Sequence, residues 1–168
     1  MPRSSTTCAA ASPNFGIGYV DSLPDFAVGI PLGREIFHAV VPVRHKLAKR
    51  RSASLAELAA YPIVALPTES RTRRTIDAAE VTAGLQLRQR VVVTQIATLL
   101  ALVAAGVGVG VVPDGATRGP LPSGVRVVPL AEPRLVRRIG LITLRGRELA
   151  PAAAGFFALL RRDWRKAH

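Results

Sequence analysis

Between residues 94 and 113, the apolar positions change from a helical to an extended spacing without a gap. Four of them recur at i, i+3, i+4 and i+7, the pattern of one helix face: Ile96, Leu99, Leu100 and Val103. Thr94 precedes this face as a candidate N-cap, and Gly106 follows it as a candidate left-handed stop. Valines then predict a short strand buried on both faces, at Val107, Val109, Val111 and Val112.

The rest of the chain alternates between the same two patterns. Apolar runs predict further strands at 15–20, 35–43, 62–66, 88–93, 125–130 and 138–143. A capping box at Ser54 and Glu57 predicts one helix, and others are expected over 72–83 and from Pro151 onward. The last helix is expected to pack through Ala153, Phe156, Phe157, Leu160 and Trp164. Because helices separate the strands, we expect an α/β protein with parallel βαβ units, preceded by a disordered leader at 1–13.

Composition supports a folded chain with an unusual charge. The 168 residues are 49% hydrophobic and carry a net charge of +12. A basic excess is typical of nucleic-acid or acidic-membrane partners. The cations are spread over several groups, however, and aromatic residues make up only 5% of the chain, which favours a solvated surface. The single cysteine, Cys8, excludes an internal disulfide and a cysteine-based metal site.

The sequence predicts a cytoplasmic protein without a membrane span. Residues 91–113 are uncharged and long enough to cross a bilayer. They contain Thr94, Gln95 and Thr98, however, and no aromatic belt flanks them. The first 13 residues also lack the apolar core of a secretory signal.

No residue pattern indicates an enzyme, a cofactor or a metal. His38, His45 and His168 are far apart and have no metal-ligand spacing. The glycines at 106, 108 and 110 follow a helix and precede a strand, which reverses the order of a dinucleotide-binding loop. The chain also lacks a Gly-x-Ser-x-Gly nucleophile turn and an obvious pair of acid–base carboxylates. We therefore predict a non-enzymatic protein.

The first candidate site is the loop between the predicted strand 62–66 and the following helix. In open α/β sheets, ligands bind outside the carboxyl ends of the strands, and helix N-termini attract anions. The hydroxyls of Thr68 and Ser70 are suited to hold a small carboxylate, with Arg71 as a clamp. Arg73 and Arg74 oppose the helix dipole, which an anionic ligand would offset. A plain capped helix with solvated arginines remains the alternative.

Two further pairs of residues stand at similar junctions. Thr94 and Gln95 lie between a predicted strand and helix, where they serve as a cap, a ligand contact or both. Gly18 and Tyr19 end the first predicted strand and are candidates for the same ligand. Ordinary strand-end chemistry remains the alternative for this second pair.

Several segments together resemble one protein family. Residues 94–113 form a helix ending in Leu-Val-Ala-Ala-Gly before a hydrophobic strand closed by proline. NFGIGYV, FHAVVPVRHKLA, SLAELAAYPIVAL and IGLITLRGRELAPAAAGFFALL follow the order and spacing of strands and helices in the same family, with Lys46 in place of a usual proline. From about residue 14 to residue 164, the chain resembles the effector-binding domain of LysR-type transcriptional regulators.

This resemblance implies the fold of type 2 periplasmic binding proteins, which has two α/β subdomains and a ligand cleft. Subdomain II would span 44–131, and subdomain I, which would be incomplete, would use 14–43 and 132–164. The implied ligand is a small anionic metabolite, and the implied assembly is a homodimer or homotetramer.

The chain departs from the family pattern at its beginning. The family's helix-turn-helix and first elements of subdomain I do not fit into 13 residues. We therefore expect a truncated effector-sensing domain, whose contact with DNA requires a helix-turn-helix absent from this sequence. A solute-binding transport component and a non-functional gene fragment remain alternatives.

Overall fold

A computed structural model describes the backbone of residues 15–167, so the leader predicted at 1–13 lies outside the described residues. The described chain divides into two compact units, one of residues 15–34 and 137–167 and the other of residues 35–136. We describe each unit by itself.

The described residues form an α/β fold, as predicted. The strands are β1 (Gly16–Tyr19), β2 (Ala27–Pro42), β3 (Ile63–Ala65), β4 (Gln89–Val92), β5 (Gly110–Pro113), β6 (Val125–Pro129) and β7 (Val136–Leu144). The α-helices are α1 (Leu55–Ala59), α2 (Arg71–Ala83), α3 (Ile96–Ala104) and α4 (Pro151–Ala167), and 3-10 helices cover Lys46–Lys49 and Asp114–Thr117. Strand β2 begins well before the predicted residue 35. The sequence did not reveal the first part of the strand, because Gly29, Pro31 and Gly33 interrupt its apolar pattern without ending it.

The unit 35–136 contains an antiparallel group of strands and a separate parallel pair of strands. The carboxyl-terminal half of β2 pairs antiparallel with β5 and β6, so that Ala39 lies opposite Val111 and Val128. Strand β3 pairs parallel with β4, and Ile63 makes a parallel bridge to Val109. The prediction of parallel βαβ units is therefore correct for β3 and β4 and wrong for the pairs made by β2. Apolar spacing marks a strand but carries no information about its direction.

The core of this unit consists of two clusters of buried side chains. The largest fully buried ones are Phe37, Leu55, Leu58, Leu99, Val40, Val41, Val64, Val103, Val109, Val112 and Val128. Leu99 and Val103 come from the helical stripe that the sequence predicts, and they fix α3 against the sheet.

Helix α3 ends as predicted but begins differently. Gly106 has a φ of 77°, and the N–H of Val107 donates to the carbonyl of Leu102 at 3.0 Å. The predicted N-cap, Thr94, is wrong, because Gln95 occupies the N-cap position and Thr94 lies one residue outside the helix. A threonine before an apolar stripe is compatible with either position, and the backbone turn decides between them.

The second unit contains β1, β7, the first half of β2 and α4. Strand β1 pairs antiparallel with β7. The carboxylate of Asp21, just after β1, accepts hydrogen bonds from the backbone N–H of Arg138 at 2.6 Å and from the side-chain Nε of Arg138 at 2.7 Å. Four of the predicted α4 packing residues are half-buried: Ala153, Phe157, Leu160 and Trp164. The fifth, Phe156, is 51% exposed, so its prediction as a packing residue is only partly met.

Candidate functional site

Two of the three sequence-predicted groups of ligand residues lie at one edge of the sheet in the unit 35–136. Strands β3 and β4 are parallel neighbours, with Ala65 opposite Val92, so their carboxyl ends meet at the same edge. A further bond from the N–H of Val93 to the carbonyl of Ala65, at 2.9 Å, extends the pairing there. Thr68 follows β3 and Thr94 follows β4, so the loops that lead into α2 and α3 leave the sheet side by side.

Both helices begin at this edge without a side-chain cap. Ser70 is the N-cap residue of α2 and Gln95 that of α3, and neither side chain bonds to the helix backbone. Neither first turn contains an acidic residue. Because the first N–H groups of a helix carry the positive end of its dipole, this edge presents two positive helix ends without a carboxylate from their own helices.

Helix α1 begins in the opposite way. The Ser54 hydroxyl accepts from the N–H of Glu57 at 3.1 Å, and the Glu57 carboxylate accepts from the N–H of Ser54 at 2.8 Å. The predicted capping box is confirmed, and it closes this helix end against an outside ligand.

The side chains at the open edge differ in exposure. Thr68 and Arg71 are exposed, and Ser70 is half-buried. Thr94 and Gln95 on the neighbouring loop are both exposed. The edge therefore offers hydroxyl, amide and guanidinium groups to the solvent, which are the groups that hydrogen-bond a carboxylate or phosphate.

One carboxylate near this edge, Asp114, is already balanced by a cation. Asp114 follows β5, which runs parallel to β3 through the bridge from Ile63 to Val109. Its Oδ2 accepts from Arg118 at 2.8 Å. Burial alone would raise the pKa of Asp114, but the bonds from Arg118 and from the N–H of Ile36 outweigh burial and lower that pKa. Asp114 is thus an ionised carboxylate neutralised by Arg118.

Arg73 has a different role from the predicted solvated or ligand-facing arginine. Its side chain is buried and forms an ion pair with Asp77, one helical turn further along α2. The position of this cation near the helix start is therefore explained by Asp77 and does not require an outside anion. Arg74 is exposed, and it makes no ion pair within the described part of the chain.

Sequence reasoning missed Glu80, a buried carboxylate near the end of α2. Its Oε2 accepts from the N–H of Leu87 at 3.0 Å, which fastens the segment leading into β4 to helix α2. The sequence did not indicate that Glu80 is buried, because a glutamate near the end of a helix is typical of a solvated surface. In the structure Glu80 is buried while the adjacent Val81 is exposed.

A small cavity lies beneath α2, lined in part by Arg73, Glu80 and Gln89. Its volume of about 20 Å³ is enough for one water molecule. Pockets for metabolites are usually of the order of 300 Å³ or more. This cavity is therefore too small for a metabolite.

Gly18 and Tyr19 lie in β1, which belongs to the other compact unit. Gly18 is opposite Gly140 on β7, and the guanidinium carbon of Arg137 lies 3.8 Å from the centroid of the Tyr19 ring. These contacts give both residues structural roles within their own unit. Their role in ligand binding stays a prediction.

Residues 15–167 contain neither a candidate metal-binding group nor a candidate membrane-spanning helix. No group of three His, Cys, Asp or Glu side chains there has the geometry to hold a metal ion. No helix in that range has the length and apolar character needed to cross a bilayer.

Residues 12–165 match the family model of the LysR substrate binding domain. The chain belongs to this family. Its members among curated proteins include the uncharacterized HTH-type transcriptional regulator YbhD of Escherichia coli K12, 32% identical over 80% of this chain and 42% of YbhD. The transcriptional dual regulator GltC of Bacillus subtilis 168 is 30% identical over 73% of this chain and 41% of GltC. This LysR-family chain thus spans less than half the length of these two relatives.

Solved structures of the family share the fold. The effector-binding domain of QuiR, in complex with shikimate, has a TM-score of 0.74 and 25% identity, covering 91% of this chain and 72% of that one. HinK, a LysR-family regulator from Pseudomonas aeruginosa, has a TM-score of 0.78 and 22% identity, covering 92% of this chain and 54% of HinK. The predicted fold of type 2 periplasmic binding proteins is confirmed.

Proposed function

We propose that this LysR-family domain binds a small anionic metabolite at the edge where α2 and α3 begin. The observation that carries the proposal is the pair of uncapped helix starts at the carboxyl ends of the neighbouring parallel strands β3 and β4. Without a ligand, the two helix ends leave polar N–H groups to the solvent, and an anion would satisfy them.

Each side chain at this edge has a defined part in the proposed complex. The hydroxyls of Thr68, Ser70 and Thr94 donate hydrogen bonds to the oxygens of the anion, and Arg71 supplies a cation. Gln95 offers its amide N–H₂. Because Arg118 already balances Asp114, this carboxylate does not oppose a negative ligand.

Family membership supports a regulatory role. The names of YbhD and GltC describe transcriptional regulators, and QuiR was solved with shikimate, which is a carboxylic acid. We propose that the present chain senses an effector in transcriptional regulation. Binding would change its partners' behaviour only through a difference in affinity between two conformations of the protein.

Thermal denaturation with a panel of small carboxylates, starting with shikimate, tests the proposed ligand class. A carboxylate at 100 times its dissociation constant stabilises the fold by about 2.7 kcal/mol, which raises the melting temperature measurably. The double variant Ser70→Ala, Arg71→Ala is expected to lose this rise. Loss of the Ser70 hydroxyl should leave folding unchanged, because the Ser70 side chain caps nothing.

The matched control is Arg88→Ala, which removes an exposed arginine from the residue before β4, at the opposite end of that strand. This variant should keep the full ligand-induced rise. An unchanged rise in the double variant, or a panel in which no carboxylate stabilises the wild type, would refute the proposed site.

A further inference from the structure

One group of exposed cations is the basic turn, which we define as residues 44–51. It carries Arg44, Lys46, Lys49, Arg50 and Arg51, and all five side chains are exposed. The turn follows β2 directly and contains the 3-10 helix Lys46–Lys49. The chain has further groups of cations at 71–74, 134–138 and 161–166, which is why composition alone favoured a solvated surface.

The backbone of the basic turn is held firmly in place. Leu47 is buried in the core, and its N–H donates to Nδ1 of His45 at 3.2 Å. The N–H of Arg50 donates to the carbonyl of Leu47 at 3.0 Å. Ala53 then exchanges bonds with the end of β6, donating to Pro129 at 2.9 Å. With the apolar residue facing inward, the cations have only the solvent side left.

Little negative charge balances this surface. Glu57 pairs with Arg50 at 3.3 Å, and its other oxygen is used in the capping box of α1. Within the described residues, Arg44, Lys49 and Arg51 make no ion pair. Burial and the charge of Lys46 both lower the pKa of His45, as expected beside an excess of positive charge.

The surroundings of the turn favour a double-stranded partner over a single-stranded one. Single-strand binders stack bases on exposed aromatic rings. Here Tyr61 is half-buried, with the His45 ring centroid 4.5 Å away and the Lys46 ammonium 5.1 Å from its centroid. The ring is thus already occupied, and the turn offers charges for phosphates without a stacking platform.

We propose that the basic turn is a sequence-independent docking surface for the phosphate backbone of duplex DNA. The contact is made by the protein whether or not an effector is bound, and it is separate from the α2–α3 edge. Its affinity comes from the release of counterions when lysine and arginine side chains neutralise phosphates, so it must fall steeply with salt.

Fluorescence anisotropy of a labelled duplex of mixed sequence, titrated at several salt concentrations, tests this proposal. The triple variant Arg44→Gln, Lys49→Gln, Arg51→Gln removes three exposed cations from the turn. The slope of log affinity against log salt should then decrease in magnitude by about 0.9 for each phosphate that the variant no longer neutralises.

The matched control, Arg88→Gln, Arg90→Gln, Arg134→Gln, removes the same net charge from exposed arginines outside the turn. It should leave the slope close to that of the wild type. Equal decreases in both triple variants would show that only net charge matters, and this would overturn the proposal. Preferential binding to single-stranded RNA, or to phosphatidylserine vesicles without duplex binding, would overturn it as well.

Nuclear magnetic resonance of His45 provides a second readout that net charge alone does not move. Phosphates at the turn would offset the charge of Lys46, so the pKa of His45 should rise on addition of duplex. Duplex binding that leaves the His45 titration unchanged would place the contact elsewhere and contradict the proposal.

Discussion

The helices α1, α2 and α3 lie in the same unit, but their first backbone N–H groups are treated differently: those of α1 are capped by side chains, and those of α2 and α3 are not. At α1, Ser54 and Glu57 satisfy two backbone N–H groups with their own side chains. At α2 and α3, Ser70 and Gln95 occupy the same position and bond to nothing in the helix. A serine at a helix start is therefore not evidence of a cap.

A capped helix start and an open one differ in what they contribute to the protein: a cap adds stability, whereas an open start leaves backbone donors available for a ligand. A side-chain cap contributes about 1 kcal/mol to helix stability, and the two open helix starts forgo that contribution. Helix α2 gains part of its stability elsewhere, through the buried Arg73–Asp77 pair. The open ends are thus sites where the fold leaves backbone donors available, at the carboxyl ends of two neighbouring parallel strands.

The largest effect is expected at the ion pair between Arg73 and Asp77 in α2. Asp77→Asn leaves the buried Arg73 guanidinium without its counter-charge, which should cost about 1–3 kcal/mol of unfolding free energy. Asp163→Asn is the control, because it breaks a pair between exposed Arg162 and Asp163 and should have no measurable effect. Urea denaturation measures both, and equal losses of stability would contradict the role assigned to burial.

A smaller effect should distinguish the two serines directly. Ser54→Ala removes a working cap and should reduce the free energy of unfolding by about 1 kcal/mol. Ser70→Ala removes a hydroxyl that bonds to no helix N–H and should change it by less than about 0.5 kcal/mol. Paired urea titrations decide this, and a Ser70→Ala effect as large as that of Ser54→Ala would remove the distinction between closed and open helix starts.

The smallest effect on stability comes from closing an open end. Gln95→Asp places a carboxylate at the N-cap of α3, which should raise stability by about 0.3–1 kcal/mol through the helix dipole. The same carboxylate competes with an anionic ligand and should abolish the carboxylate-induced rise in melting temperature. A more stable variant that still responds fully to the carboxylate would show that α3 takes no part in binding.

Local signals in the sequence predicted the elements well. The capping box at Ser54 and the stop at Gly106 depend on residues within one helical turn, so spacing alone was enough. The alternation of strands and helices also gave the fold class, and the resemblance of several motifs gave the family. Thr94 was assigned wrongly because a shift of one residue leaves the apolar stripe unchanged.

Features that depend on distant contacts were missed. The burial of Arg73 and Glu80 results from the packing of α2 over β3, which their helical positions do not reveal. The antiparallel direction of β2 relative to β5 and β6 depends on residues about 70 or more positions apart in the chain. The two loops at the α2–α3 edge lie side by side because β3 and β4 are parallel neighbours, a pairing that the βαβ rule described correctly.

A titration of the ¹⁵N-labelled protein with a stabilising carboxylate, followed by the backbone amide resonances, tests whether an anion binds to the backbone donors at the starts of α2 and α3. We expect the largest shifts at residues 71–73 and 96–98, with the resonances of residues 55–57 in the capped helix α1 unchanged. Shifts confined to other regions, or equal shifts at all three helix starts, would contradict it.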